Sequence, residues 1–304
     1  MGLAREDLWK LRLRDSRPAI AASLVQRTYT VSALSGLLEE SREAWRLPKT
    51  LQTEFFLDYL VKSKLLRRES LSLREPSTHS SYADKLVIYA KPDATPIETA
   101  LTVRQGSFLS HLSAAYVHGL TNLVPRVIYT NKEQPPKQSD GRERSLSQQA
   151  IDKVFSKSAR VTALAYVYEE YEIVLLAGQS TGKAEVADFA APDGRTYPAT
   201  SLERTLIDCT VRPLHAGGIH EVVNMYAAAK DRMSVRRLRK LLDDLNFLYP
   251  YRQSIGFLLE RTGHPAERLA MFEKPPFEFD FYIDYALPQR AYSSRWRLYY
   301  PEGL

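Results

Sequence analysis

Pro48-Lys49-Thr50-Leu51-Gln52-Thr53-Glu54-Phe55-Phe56-Leu57-Asp58-Tyr59-Leu60-Val61-Lys62 is the stretch whose reading decides the fold. Leu51, Phe55, Phe56, Tyr59 and Leu60 recur at helical spacing, which predicts a helix opening at Pro48 and Thr50 with those side chains inward. Gln52 and Thr53 then face away from the Phe55–Tyr59 stripe. Upstream, Pro18-Ala19-Ile20 opens a short helix through Leu24 and Val25, and Thr28-Tyr29-Thr30 is a short β-prone step. Thr30 caps a second helix whose Val31, Leu34, Leu37 and Leu38 share a face, and a polar turn spans Glu40–Pro48. Downstream, Leu65–Leu73 alternates as a strand, Arg74–Asp84 is a polar loop, and Lys85–Lys91 is a second strand. Three small helices followed by a two-stranded ribbon is the order of a winged helix-turn-helix, assigned to residues 1–91.

Past a boundary near Pro92–Pro96, residues 97–304 mix helix and strand, so the expected class is α+β: a winged helix followed by a mixed α/β domain. A helix is expected at Ser107–Leu120, strands at Val127–Thr130, Arg160–Tyr168 and Ile173–Ala177, and an exposed loop at Asn131–Arg144. Thr200-Ser201-Leu202-Glu203 reads as a capping box opening a helix that Pro213 ends. Helices follow at Ile219–Lys230, Ser234–Leu245 and Tyr251–Thr262, the last stopped by Gly263 and Pro265. Their inward rows are Ile219, Val222, Val223 and Tyr226, then Val235, Leu238, Leu241, Leu242 and Leu245. Strands at Phe277–Tyr285 and Arg295–Tyr300 close the chain.

The 304 residues are 44% hydrophobic and 26% charged, which supports a packed core and excludes wholesale disorder. No apolar run is long enough for a membrane span, and the acidic start lacks the pattern of a secretory signal, so a cytoplasmic protein without membrane partners is expected. A single cysteine, Cys209, excludes internal disulfides and zinc sites of several thiolates. Residues 1–91 hold 16 Lys and Arg against 11 Asp and Glu, while residues 92–304 hold 26 against 25. The basic excess sits in the first third, as it would if that part met a polyanion.

In a helix-turn-helix the recognition helix lies in the major groove and flanking cations hold phosphates. Arg42, Lys49, Thr50, Gln52, Thr53, Lys62, Lys64, Arg67 and Arg68 are therefore the candidate contacts, with Gln52 and Thr53 for base edges. The alternative is a protein-binding domain with a solvated basic face. Arg232, Arg236, Arg237, Arg239 and Lys240 crowd the outer side of the 234–245 helix as a second patch for a partner or for more DNA. Gly178-Gln179-Ser180-Thr181-Gly182-Lys183 imitates a phosphate-binding loop, but its glycines are one residue too close and Ala184 replaces the required Ser or Thr. It reads as a charged hairpin turn. His111 and His118 read as hydrogen-bonded structural residues, and Asp280 with Asp284 as same-side acids on a strand. Ser201 and Cys209 lack a local base, so no catalytic residue, metal or cofactor is assigned.

Ser110-His111-Leu112-Ser113-Ala114-Ala115-Tyr116-Val117-His118-Gly119-Leu120-Thr121 resembles the S-x-x-S-A-x-x-x-H-G-L-T core of AbiEi-like proteins. Thr200-Ser201-Leu202-Glu203-Arg204-Thr205-Leu206-Ile207-Asp208-Cys209 is similar to that family's T-S-x-E-R-T-L-I-D helix. Arg212-Pro213, Ala216-Gly217-Gly218 and the stretch from Tyr249-Pro250-Tyr251 to Gly256-Phe257 also resemble it. The resemblance implies a winged helix that represses the protein's own operon by binding double-stranded promoter DNA. It also implies an antitoxin domain that antagonises a nucleotidyltransferase toxin in antiviral defence. The alternatives are a stand-alone regulator of a defence locus that senses a ligand or protein, and a nucleic-acid-processing enzyme.

Overall fold

The structure is a computed structural model that describes residues 5–75, 82–136 and 146–304. The chain runs α1 (Arg5–Asp15), α2 (Arg17–Ser23), β1 (Thr28–Thr30), α3 (Val31–Ser41), α4 (Thr53–Lys62), β2 (Arg67–Leu73), β3 (Lys85–Ala90) and α5 (Pro96–Val103). It continues through β4 (Phe108–Leu109), α6 (His111–Val117), β5 (Val127–Asn131), α7 (Gln148–Phe155), β6 (Ala165–Tyr168), β7 (Tyr171–Leu176), β8 (Val186–Ala190) and β9 (Thr196–Thr200). The last third comprises α8 (Leu202–Val211), α9 (Ile219–Ala229), α10 (Val235–Asp244), α11 (Tyr251–Arg261), α12 (Ala266–Glu273), β10 (Phe281–Tyr282), β11 (Arg290–Ser293) and β12 (Leu298–Pro301). The described residues thus form a mixed α+β chain with twelve α-helices and two sheets. No described helix is long and apolar enough to cross a membrane. The loops expected at Arg74–Asp84 and Asn131–Arg144 fall partly outside the described residues.

Residues up to Gly106 together with Leu164–Ile173 form a first unit. In β2 the side chains of Glu69, Leu71 and Leu73 are buried and alternate with exposed Arg68, Ser70 and Ser72, the period-two pattern of a half-buried strand. β2 pairs antiparallel with β3 from Arg67↔Ala90 to Ser72↔Lys85, and β3 pairs antiparallel with β1 from Thr28↔Ala90 to Thr30↔Ile88. The other edge of β2 is taken by β6, with Ser72 opposite Val167 and Leu73 opposite Tyr166. Thr30 leaves β1 extended and caps α3, its Oγ1 accepting from the Ala33 amide at 3.1 Å. Ile20, Leu34, Leu38, Trp45, Phe56 and Leu60 form the core of this unit.

Several expectations for the first unit change. α2 ends at Ser23, before Leu24 and Val25. The helix expected from Pro48 begins only at Thr53, because Arg42 donates to the carbonyls of Pro48 (2.9 Å) and Leu51 (2.8 Å), holding 48–51 as a turn. Phe56, Leu57 and Leu60 face inward, while Phe55 is 47% exposed and lies beside Trp9 of α1, ring centroids 5.4 Å apart. The boundary expected between 91 and 97 falls inside the unit. α5, opened by a capping box of Thr95 and Glu98, packs on β1 and β3, and Thr28 Oγ1 meets Thr102 Oγ1 at 2.6 Å.

Ser107–Ala163 and Val174–Leu304 form the second unit. β4 pairs antiparallel with β5 and parallel with β9, and β9 pairs antiparallel with β8. β7 neighbours β5 rather than β8, so 178–185 is a crossover loop and not the expected hairpin turn. A second sheet joins β12 parallel to β10 and antiparallel to β11. α8 is buried on every side from Glu203 to Thr210, among α6, α9, α10 and α11. Its cap is Ser201, whose Oγ accepts from the Arg204 amide, and not a Thr200–Glu203 box; Glu203 instead accepts the Ser234 amide that opens α10, at 2.9 Å.

The helix expected at Ser107–Leu120 is divided into β4 and α6, and the strand expected at Arg160–Tyr168 begins only at Ala165. The strand expected at Phe277–Tyr285 shrinks to β10, and that at Arg295–Tyr300 becomes β12 with β11 as partner. Met225 and Ala229 replace Val223 in the buried row of α9, whereas the row of α10 is buried as expected. On α11, glycine at 256 is dictated by contact: a Cβ there would stand 2.1 Å from the buried Trp296 ring.

Candidate functional site

The nine residues expected to meet DNA fall into two groups. Arg42 is a brace: besides its two carbonyls it holds Glu39 at 2.6 and 2.7 Å. Its hydrogen bonds to Glu39 raise the guanidinium's pKa further. Thr53 Oγ1 lies 3.0 Å from Ser35 Oγ, Lys62 pairs with Asp58 at 2.6 Å, and Arg67 pairs with Glu69 at 2.6 Å while donating to the Ala94 carbonyl. Lys49, Thr50, Gln52, Lys64 and Arg68 are exposed, and among the described residues Lys49, Lys64 and Arg68 make no ion pair. These cations bracket α4, a helix about 15 Å long at 1.5 Å per residue. Lys64 sits in the left-handed region at φ 59°, where the chain turns from α4 into β2.

The second patch is largely neutralised. Arg237 pairs with Glu185 and approaches Glu203 at 3.8 Å, and Lys240 pairs with Asp244 at 2.6 Å. Arg239 pairs with Asp243, donates to the Met271 carbonyl and lies over the Phe272 ring. Arg232 and Arg236 are exposed.

A cavity of about 430 Å³ opens within the second unit, and α8 supplies its charged wall. Arg204 and Asp208 are four residues apart on this helix, so both side chains project to one side, and Arg204 Nε donates to Asp208 Oδ1 at 2.9 Å. Arg204 Nη1 reaches the crossover loop, donating to Thr181 Oγ1 (3.3 Å) and the Ala184 carbonyl (3.2 Å). Glu133 holds the same loop, accepting from the Thr181 amide and hydroxyl and from the Lys183 amide. Gly178 donates to Asn131 Oδ1 at 2.9 Å, and a Cβ at 178 would lie 2.8 Å from Asn131 Nδ2. The loop that imitates a phosphate cradle in sequence is thus folded around Glu133 and Arg204.

His111 opens α6 in the left-handed region at φ 52°, with Nδ1 2.9 Å from Ser110 Oγ. Its ring stands edge-on to His215 at 5.1 Å, and Tyr129 packs 5.0 Å from His215. Burial pushes the His111 pKa well down, helped by His215, Arg204 and Arg212; burial and then Arg212 bring His215 down to about 4. Both imidazoles are therefore uncharged at neutral pH. Burial raises the Asp208 pKa against the pull of Arg204. In Glu133 burial also raises, but the hydrogen bonds from Thr181 and Lys183 outweigh it and the carboxyl titrates low. Asp208 Oδ2 and His215 Nδ1 are buried with no hydrogen-bond partner among the described residues. Arg160 and Arg212 complete the charged lining, and Val211, Leu245 and Phe247 form an apolar side.

His118 is a structural anchor, its Nε2 donating to the Thr200 carbonyl at 2.6 Å. His111, expected to play a similar part, lines the cavity as well. Asp280 and Asp284 do not share one strand: Asp280 pairs with Arg297 at 2.8 Å and accepts from Tyr292, while burial raises the pKa of Asp284. Cys209 is buried, its thiol pKa pushed up by that burial. Among the described residues no three His, Cys, Asp or Glu side chains converge as a metal site. The signal available in sequence for the cavity was a charged pair, Arg204 and Asp208, at helical spacing on a helix that also carries Leu206, Ile207 and Cys209.

No known protein family matches the chain, and neither does any curated protein. Among solved structures it is similar to the RV2827C protein from Mycobacterium tuberculosis, with a TM-score of 0.58 and 16% identity over 95% of this chain and 91% of that one. At that identity the likeness speaks for the fold alone.

Proposed function

We propose that the first unit is a winged helix that binds duplex DNA, and that the chain represses transcription of its own operon. The observation that carries this reading is the order α2, β1, α3, α4, β2, β3 with β1, β3 and β2 paired antiparallel. Lys49, Lys64 and Arg68, which make no ion pair among the described residues, surround exposed Gln52 and support it. In this reading α4 enters the major groove with Gln52 toward base edges, Lys49 holds a phosphate at its start, and Lys64 and Arg68 hold phosphates beyond its end. Thr53, Arg42, Lys62 and Arg67 keep their internal partners and leave the phosphates to the other cations. The Arg204–Asp208 helix and the 110–121 motif support assigning the second unit the antitoxin role toward a nucleotidyltransferase, performed by binding, without catalytic turnover, in the cytoplasm.

A gel shift of the full chain against the DNA upstream of its own reading frame tests this. Expected is a discrete complex that outcompetes random duplex by at least about 1000-fold, the lower bound for specific sites. Equal affinity for random DNA defeats the repressor reading. Rescue of growth on co-expression with a neighbouring nucleotidyltransferase tests the antitoxin role, and its absence defeats that part alone.

A further inference from the structure

We infer that the cavity beside α8 is a binding site for a small organic anion: a phosphate or carboxylate group carried on a flat apolar body. This does not rest on the DNA-binding reading.

Charge gives the first half of the ligand. Arg160, Arg204 and Arg212 line the cavity against a single carboxylate, Asp208, which already holds one side of Arg204. Arg160 is exposed and makes no ion pair among the described residues, and Arg212 meets only the Tyr285 hydroxyl (3.2 Å) and ring there. Two guanidinium forks lining the same cavity are therefore available to an anion, each suited to carboxylate or phosphate oxygens. His111 and His215, uncharged at neutral pH, add hydrogen-bonding capacity without further charge.

Shape and unmet hydrogen bonds give the second half. Leu245 is buried and Phe247 half-buried on the apolar side, where a planar group can lie against a ring edge or face. The volume of about 430 Å³ lies in the range of small-molecule sites. Asp208 and His215 are each only 8% exposed, yet Asp208 Oδ2 and His215 Nδ1 lack partners among the described residues. Buried polar atoms of native proteins are rarely left so, and a ligand N–H or O–H would satisfy them. A nucleoside monophosphate and an aromatic carboxylic acid share this chemistry.

Isothermal titration of the full chain with adenosine, guanosine and cytidine monophosphates, with 4-hydroxybenzoate, and with inorganic phosphate separates the sources. Expected is saturable one-to-one binding of at least one flat-bodied anion, ten-fold or more tighter than inorganic phosphate. Binding confined to the monophosphates assigns a nucleotide; binding confined to the benzoate assigns an aromatic acid. Arg160→Glu, on an exposed side chain, should weaken that binding ten-fold or more with an unchanged melting temperature. Phe247→Ala should reduce the advantage of the flat body over phosphate and serves as the second variant. If no probe binds, if phosphate binds as tightly as the organic anions, or if both variants bind like the parent, the assignment is wrong.

Discussion

Between Lys49 and Arg68 the first unit exposes three cations that have no ion pair among the described residues. Along α10 of the second unit, Arg237, Arg239 and Lys240 each lie against a carboxylate. The two stretches look alike in sequence, both being short amphipathic helices that carry or adjoin several arginines and lysines. They differ in where their acids fall. On α10, Asp243 and Asp244 follow Arg239 and Lys240 by four residues, the spacing at which helical side chains meet, and Glu185 and Glu203 arrive from distant parts of the chain. Around α4, Asp58 takes Lys62 in the same way, but Lys49 and Lys64 stand outside the helix and Arg68 projects from the exposed side of β2. Counting bases gives the sign of a field, and only the pairing tells which of them can meet a phosphate.

The largest expected effect belongs to the most deeply engaged cation. Arg204→Met removes the partner of a buried Asp208 and should cost about 3–5 kcal/mol, read from urea unfolding. A loss below about 1 kcal/mol would mean that this pair resembles a surface one and would break the contrast. Next, replacing Lys49, Lys64 and Arg68 together by Ala should leave stability nearly unchanged. The same variant should lower the salt slope of DNA binding by about 2.7 and affinity about 100-fold at physiological salt. The matching variant at Arg237, Arg239 and Lys240 should change DNA affinity by less than about three-fold, since those charges are already neutralised. Equal losses from the two triples would erase the distinction between them.

Arg42→Ala sharpens it from within the first unit. Losing the hydrogen bonds to Pro48, Leu51 and Glu39 should cost about 1–2 kcal/mol, and Arg42→Lys should restore little, because one ammonium cannot span these acceptors. DNA affinity measured well below the melting transition should be nearly unaffected, marking Arg42 as a brace. The smallest effect is expected at Lys240→Ala, within about 0.5 kcal/mol, as for other exposed helical pairs.

The elements with one apolar stripe and a clear stop were legible. α9, α10 and α11 lie within a residue or two of expectation, β2 follows from alternation, and β3 lies within a residue of the strand expected at Lys85–Lys91. α1 was not, because its apolar residues make no stripe. α5 and the β8–β9 hairpin carried signals, a Thr95–Glu98 capping box and an Asp193-Gly194 turn, that the Pro residues around them obscured. In the candidate site the Arg204–Asp208 spacing was readable from the helix alone. Its union with Thr181, His111 and His215 was not, because sheet order brings the crossover loop there and a left-handed residue at 111 removes that ring from helical spacing. The engagement of Arg42 was equally hidden, since its acceptors are backbone carbonyls, which every residue offers.

The first unit is completed by a segment far along the chain: β6 supplies the partner for the outer edge of β2 at Ser72 and Leu73. On the ribosome, that edge is made long before its cover. At roughly 5–20 residues per second, synthesis from Gly106 to Ile173 takes on the order of several seconds, during which Ser72 and Leu73 present an open strand edge. The N-terminal unit is thus finished only after much of its successor has been translated. A gene fusion or truncation that ends at Gly106 would release a unit lacking its last strand.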